Sequence, residues 1–286
     1  MRLPETTTSA TLRPASTRRG VSAKYPWRAS LRAAASILTS AERIGKGLRA
    51  FRAAVRSIGR RLRQYDFERT ALPFIPEDLA MRIIAHDVLI PLATMVGKRG
   101  GQTLDGLLWL ACIAKSLRAL RIFEIGTLTG YTSLVLASNV PQATVHTLDL
   151  PPGAAPELRI WESDSQNFLP GDVPRAWRGR QEENRIILHL ADSARFDFER
   201  FRGMFDLVYV DGAHSWEYLA KDSDSAFTLV SARGAIVWDD YWEETPEVAA
   251  YLNSRKDLRL FRLPQTRLVA WLSAGAEETI RNDDQP

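Results

Sequence analysis

The sequence predicts an alternating α/β fold: a mostly parallel seven-stranded sheet covered by helices on both faces and finished by an antiparallel hairpin. Three observations carry it. Short apolar runs recur from residue 121 onward, bounded by Gly, Asp, Pro or other polar residues. Helical patterns separate most of them, as parallel strands joined by crossovers require. The last two runs are joined only by Pro264, Gln265 and Thr266, too few residues for a crossover, so that pair runs antiparallel.

The elements follow in order. Residues 1–28 are rich in Thr, Ser, Pro and Arg and poor in large apolar groups, a composition that favours a disordered basic tail. Between 29 and 66, Ile44, Leu48, Phe51, Val55, Ile58, Leu62 and Tyr65 line one face of a basic amphipathic helix. Gly45, Gly47 and Gly59 each weaken that helix by up to about 1 kcal/mol relative to Ala, so it needs a partner surface. Its own domain or a second subunit, an anionic membrane surface, and nucleic acid are the three readings, nucleic acid being the weakest. A mitochondrial presequence has a similar composition and stays open.

Residues 76–119 read as helical. Strands follow near 121–126, 144–149, 185–190, 205–211, 234–239, 257–263 and 267–273, with helices near 130–138, 214–231 and 245–254. The stretch 151–180, with five prolines, Trp161 and Trp177, reads as a surface crossover or lid. One main domain thus covers 67–275, and 276–286 reads as a disordered tail.

Charge is divided unevenly. The first 64 residues carry 15 Lys and Arg against 2 Asp and Glu, so the net charge of +4 conceals an acidic body. The basic balance belongs to the arm and does not mark the body as a nucleic-acid binder. The single cysteine, Cys112, excludes an intrachain disulfide framework and a cysteine-based zinc site. No apolar run reaches the roughly 18–20 residues that span a bilayer. The cytoplasm, with a peripheral membrane contact as the variant, is the expected location.

The most informative segment is FEIGTLTGYTSLVLA, 123–137. A strand ends in Glu124-Ile125-Gly126, a turn carries Gly130, and an apolar helix begins at Tyr131. Such glycines permit turn dihedrals and close backbone approach. Leu128 stands where the dinucleotide fingerprint has its second glycine, so that motif is absent. Asp149 ends the second strand, and Asp192-Ser193 follows the third. At the ends of the fourth and fifth strands stand Asp211, with His214 three residues on, and the pair Asp239-Asp240. Neighbouring strands lie about 4.8 Å apart, so these three carboxylates converge. They repel unless protonated or neutralised by a cation, and oxygen ligands of this kind suit Mg2+.

The motif Glu-x-Gly-x-x-x-Gly resembles the first motif of class I S-adenosylmethionine (SAM) methyltransferases, and the resemblance extends over about 100–275. It implies the Rossmann-like fold of that class. It also implies cofactor contacts at Glu124, Gly126, Gly130, Tyr131 and Asp211, a ribose acceptor at Asp149, and adenine contacts at Asp192 and Ser193. VDGAHS and VWDDYW, with GGQTLDGLLWLACIAK before the first strand, are similar to the metal-dependent O-methyltransferases of the catechol, caffeoyl-CoA and macrocin types. That resemblance implies Asp211, Asp239 and Asp240 as metal ligands and His214 as general base. His214 replaces the Lys common in the catechol type, as in the sugar-modifying branch, and so tilts the small hydroxylated acceptor toward a sugar or natural product. Tyr131, Trp216, Tyr241 and Trp242 are candidate walls of an acceptor pocket. A metal-independent N- or O-methyltransferase and a non-catalytic SAM-fold assembly partner stand as alternatives. A helix cap is the alternative role for His214.

Overall fold

A computed structural model describes residue 53 and residues 67, 68, 70–91, 102–165 and 175–283. The chain divides into two compact units, Met1–Arg61 and Leu62–Pro286, and apart from Ala53 the described residues lie in the second. The expected tail over 1–28 and the amphipathic helix over 29–66 fall essentially outside the described residues.

The elements are α1 (Glu77–Ile83), α2 (Leu104–Ser116), β1 (Arg121–Ile125), α3 (Tyr131–Asn139), β2 (Thr144–Asp149), β3 (Ile186–Leu190), β4 (Phe205–Val210), α4 (Trp216–Leu229), β5 (Val230–Trp238), α5 (Pro246–Ser254), β6 (Leu260–Arg262), β7 (Val269–Leu272) and α6 (Ala274–Arg281). The sheet order is β3-β2-β1-β4-β5-β7-β6. β1 to β5 are mutually parallel, and β7 runs antiparallel to both β5 and β6, as the short connection requires.

Strand alternation divides the core into two layers. Ile122, Leu207, Tyr209, Ala235 and Val237 face one side, where α1, α2, α3 and α6 pack. Phe123, Val208, Val210, Ile236 and Trp238 face the other, against α4 and α5. Central strands buried on both faces explain why their sequences read as continuous apolar runs.

Two boundaries differ from the sequence reading. The helical reading of 76–119 divides into α1 and α2. After Ile84 the chain turns, and Leu89 bonds through both backbone groups to the amide of Asn139, N to Oδ1 at 2.7 Å and Nδ2 to O at 2.8 Å. Pro91 follows and disfavours helix at the residue before it. The tail reading of 276–286 is corrected by α6: Ser273 caps it at Ala276 N, and Ala276 and Ile280, one turn apart, are fully buried. Two apolar side chains in a polar segment suffice to dock a short helix.

Among the described residues, no helix is long and apolar enough to cross a membrane.

Candidate active site

In a sheet of this order the chain reverses direction across the sheet between β1 and β4, and ligands bind in the crevice at the carboxyl ends there. A cavity of about 420 Å3 opens at that place, lined along one side by Glu124, Gly126, Asp149, Asp192 and Ser193. Its other side holds Asp211, His214, Asp239, Asp240, Trp242 and Arg267.

The first side is tightly satisfied. Glu124 is buried, and its Oε2 accepts hydrogen bonds from Ser133 Oγ and from Thr147 Oγ1, the latter at 2.6 Å. Burial pushes its carboxyl up to about 7 against the pull of those hydroxyls. Gly126 has φ +97°, and a Cβ there would lie 1.9 Å from the carbonyl oxygen of Asp211. Its lack of a side chain therefore lets the ends of β1 and β4 touch. Gly130, φ +73°, lies under Trp177, whose ring a Cβ would meet at 1.9 Å, so it does not line the cavity. The close approach expected at these glycines is made by the protein itself. Asp149 pairs with Arg175 at 2.9 Å, yet burial still raises its carboxyl. Asp192 accepts from Glu157 N at 2.7 Å, Ala194 N at 2.8 Å and Tyr218 Oη at 2.8 Å.

The second side is crowded with charge. Asp239 N donates to Val210 O at 3.0 Å, continuing the β4–β5 pairing past the strands, and this brings Asp211 and Asp239 side by side. Asp240 takes a left-handed backbone, φ +59°, unusual for a residue with a side chain and common where a site demands it. Oxygens of the three carboxylates lie within 4.8 Å of one another. Beneath them the buried Tyr209 Oη is 2.9 Å from Asp211 Oδ2 and 3.1 Å from Asp239 Oδ2. Gln102 Nε2 donates to Tyr209 Oη at 3.0 Å and to Asp239 Oδ2 at 2.9 Å. Burial, then the charges of Asp239 and Asp240, raise Asp211 well above the carboxylate range. Burial and Asp240 raise Asp239 to about 6.

His214 bridges two carboxylates. Its Nδ1 lies 2.5 Å from Asp164 Oδ1 and its Nε2 lies 2.5 Å from Asp240 Oδ2. Its main-chain N also donates to Asp164 Oδ2 at 3.1 Å. Burial opposes the charged imidazolium, but the bonds to Asp164 and Asp240 overcome it and lift the ring to about 10. The cap of α4 is Ser215, which accepts from Tyr218 N, and His214 is left to the cleft.

Residues 123–241, the segment that supplies β1 to β5 and nearly all of this cleft, match the family model described as a methyltransferase domain. This segment is a methyltransferase domain. Solved structures similar to the methyltransferase include a putative caffeoyl-CoA O-methyltransferase from Staphylococcus aureus, at 16% identity, with 68% of this chain and 91% of that one covered and a TM-score of 0.46. The methyltransferase PaMTH1 of Podospora anserina, bound to SAH (S-adenosylhomocysteine), is 19% identical, covers 76% of this chain and 95% of that one, and has a TM-score of 0.45. The O-methyltransferase TomG of Streptomyces achromogenes, involved in tomaymycin synthesis and in complex with SAM, is 17% identical, with 71% and 92% covered and a TM-score of 0.44. No curated protein matches the sequence. The assignment rests on the domain match and the observed sheet.

In the methyltransferase, every residue singled out for cofactor, metal or proton transfer except Gly130 lines the one cavity. Of the four aromatic residues read as acceptor walls, Tyr131 and Trp242 line it. Trp216 is 41% exposed and packs edge-on against Tyr251. Tyr241 is turned into the core, its hydroxyl accepting from Leu72 N and donating to Asn253 Oδ1, each at 2.8 Å. The sequence reading missed Asp164, Arg175, Arg267 and the Gln102–Tyr209 pair. A short motif flags none of them, and only the GGQTLDG segment hinted at Gln102.

Proposed function

We propose that the methyltransferase transfers the methyl group of SAM to a hydroxyl of a small acceptor, a sugar or other natural product, assisted by a divalent cation such as Mg2+. One observation carries the reading: three carboxylates with oxygens within 4.8 Å of one another share the cavity with His214. The donor set fits the metal, because it is all hard oxygen and its mutual repulsion is relieved by a cation. Asp211, Asp239 and Asp240 would hold it, and a bound Mg2+ supplies acidity and orientation to a hydroxyl. For SAM, the fit is the cavity itself, with Glu124 and the Gly126 turn at one end and Asp192 and Ser193 at the other.

The chain's own residues do the rest. Asp164 fixes the ring of His214 through Nδ1 and the main-chain N, which leaves Nε2 as the nitrogen that faces the carboxylates. Held between Asp164 and Asp240 the ring is protonated on both nitrogens; once Nε2 leaves Asp240 Oδ2 and gives up its proton to solvent, it is the atom placed to accept the hydroxyl proton. The new C–O bond forms as the C–S bond of the sulfonium breaks, an in-line displacement whose rate depends on alignment. Trp242 and Tyr131 border the acceptor space.

A second reading, transfer by positioning without a metal, is favoured by the bracketing of Asp240. His214 and Arg267 already hold its two oxygens, at 2.5 and 2.9 Å. Chelation separates the two. SAH should bind in isothermal titration, and SAH release from SAM over a panel of hydroxylated acceptors should stop with EDTA and return with Mg2+. Turnover indifferent to EDTA selects the metal-free reading, and absence of SAH binding removes both.

A further inference from the structure

Arg267 enters β7 from the hairpin loop, and its main chain is fixed by Tyr241 N, which donates to Arg267 O at 2.9 Å. Its side chain passes over the Trp242 ring, 5.4 Å from the centroid, and returns to the carboxylates. Nη1 is 2.9 Å from Asp240 Oδ1 and Nη2 is 3.7 Å from Asp239 Oδ2. Nε is buried without an acceptor, so the guanidinium fork does not have its full set of hydrogen bonds here. Charge is therefore the main attraction holding it over the cluster. Three carboxylates and one guanidinium leave a formal charge that one divalent cation closes.

We propose that Arg267 is a built-in counter-cation of the cleft: it steadies the three carboxylates when no metal is bound and weakens their hold on a divalent cation, so that the metal exchanges readily. The inference rests on the metal reading given above. Its physical basis is Coulombic. A fixed positive charge against two of the ligand carboxylates repels an incoming cation in a partly buried site, where screening is weak. An arginine that served only to orient Asp240 would have the opposite effect, since its loss would loosen a ligand and lower metal affinity.

The experiment is a Mn2+ titration of the full chain, with free Mn2+ read by electron paramagnetic resonance, on the wild type, Arg267→Met and Arg267→Lys. Arg267→Met should bind Mn2+ about tenfold more tightly or better, because the repulsion is gone. Arg267→Lys, which keeps the charge, should stay within about threefold of the wild type. Should Arg267→Met fail to fold by thermal melt, Arg267→Gln gives the same neutral comparison. Equal or weaker binding by the neutral variant, with the wild type binding, overturns the inference and leaves the metal reading intact. No binding by either protein overturns the metal reading and the inference with it. Binding by the neutral variant alone supports the inference in its strongest form.

Discussion

At the ends of β1, β2 and β3 each carboxylate has partners of its own, whereas at the ends of β4 and β5 three carboxylates share theirs. Glu124 has two hydroxyls, Asp149 has Arg175, and Asp192 has two main-chain N–H groups and a phenol. Asp211 and Asp239 divide a single Tyr209 hydroxyl between them, Gln102 Nε2 serves both that hydroxyl and Asp239, and Asp240 is held by Arg267 and His214. In the first half each carboxylate already has its own hydrogen-bond or ion-pair partner before any ligand arrives, which suits a ligand recognised by shape and hydrogen bonds. In the second half burial, and then mutual repulsion, raises Asp211 and Asp239, and this half gains most from a cation.

If the halves are separable, their variants should separate too. The largest effect is expected for Asp239→Ala, a loss in kcat of about a thousandfold or more with SAH affinity changed by less than about threefold. Rates of SAH release and isothermal titration on one preparation check it, and a parallel collapse of binding would break the division. Next comes His214→Ala, with kcat down about a hundredfold and SAH binding retained. Asp164→Asn should give a smaller loss in the same direction, because the ring keeps its place but loses a charged partner. Loss of SAH binding in either variant would move His214 to the first half of the cleft.

The smallest effect lies beneath the cofactor half. His146 and His189, on β2 and β3, are 3.1 Å apart among Phe123, Phe196, Phe201 and Phe205. Burial, then His189, Arg121 and Arg200, lower His146 to about 4. The unfolded imidazole titrates near 6.5, so below that pH the unfolded chain takes up the proton first. The associated stability is therefore complete above pH 6.5 and is lost as pH falls toward 4. Partial exposure reduces it to on the order of 1–2 kcal/mol. Denaturant melts from pH 7 to 4 should show that loss, and His146→Phe should flatten it.

What was legible in the sequence follows from chain direction. Residues that end parallel strands meet at one edge of the sheet, so Glu124, Asp149, Asp211 and Asp239 could be placed in one crevice from the strand pattern alone. Asp164 could not, because it sits in a Pro-rich connection with no periodicity, in a helical turn of four residues, Glu162–Ser165. Tyr209 reads as one more apolar strand residue until Gln102, before α2, is seen to donate to its hydroxyl. Arg175 reaches Asp149 from a turn with no pattern of its own. The helix α6 escapes a reading by composition because its residues are polar on average, although Ala276 and Ile280 share one face and Ser273 is an ordinary cap.

β7 is the one strand that runs against the others, and Trp238 at the end of β5 pairs with Val269 at its start. The parallel strands β1 to β5 meet the cleft at or just past their last residues, while β7 meets it through Arg267, just before its first. The cleft thus borrows part of its wall from the hairpin loop that precedes β7, and surface loops are the part of a protein that accommodates sequence change most freely. Through Arg267 that loop touches Asp239, Asp240 and Trp242, so a change of sequence in it would be felt first on the charged side of the cleft and last around Glu124 and Asp149.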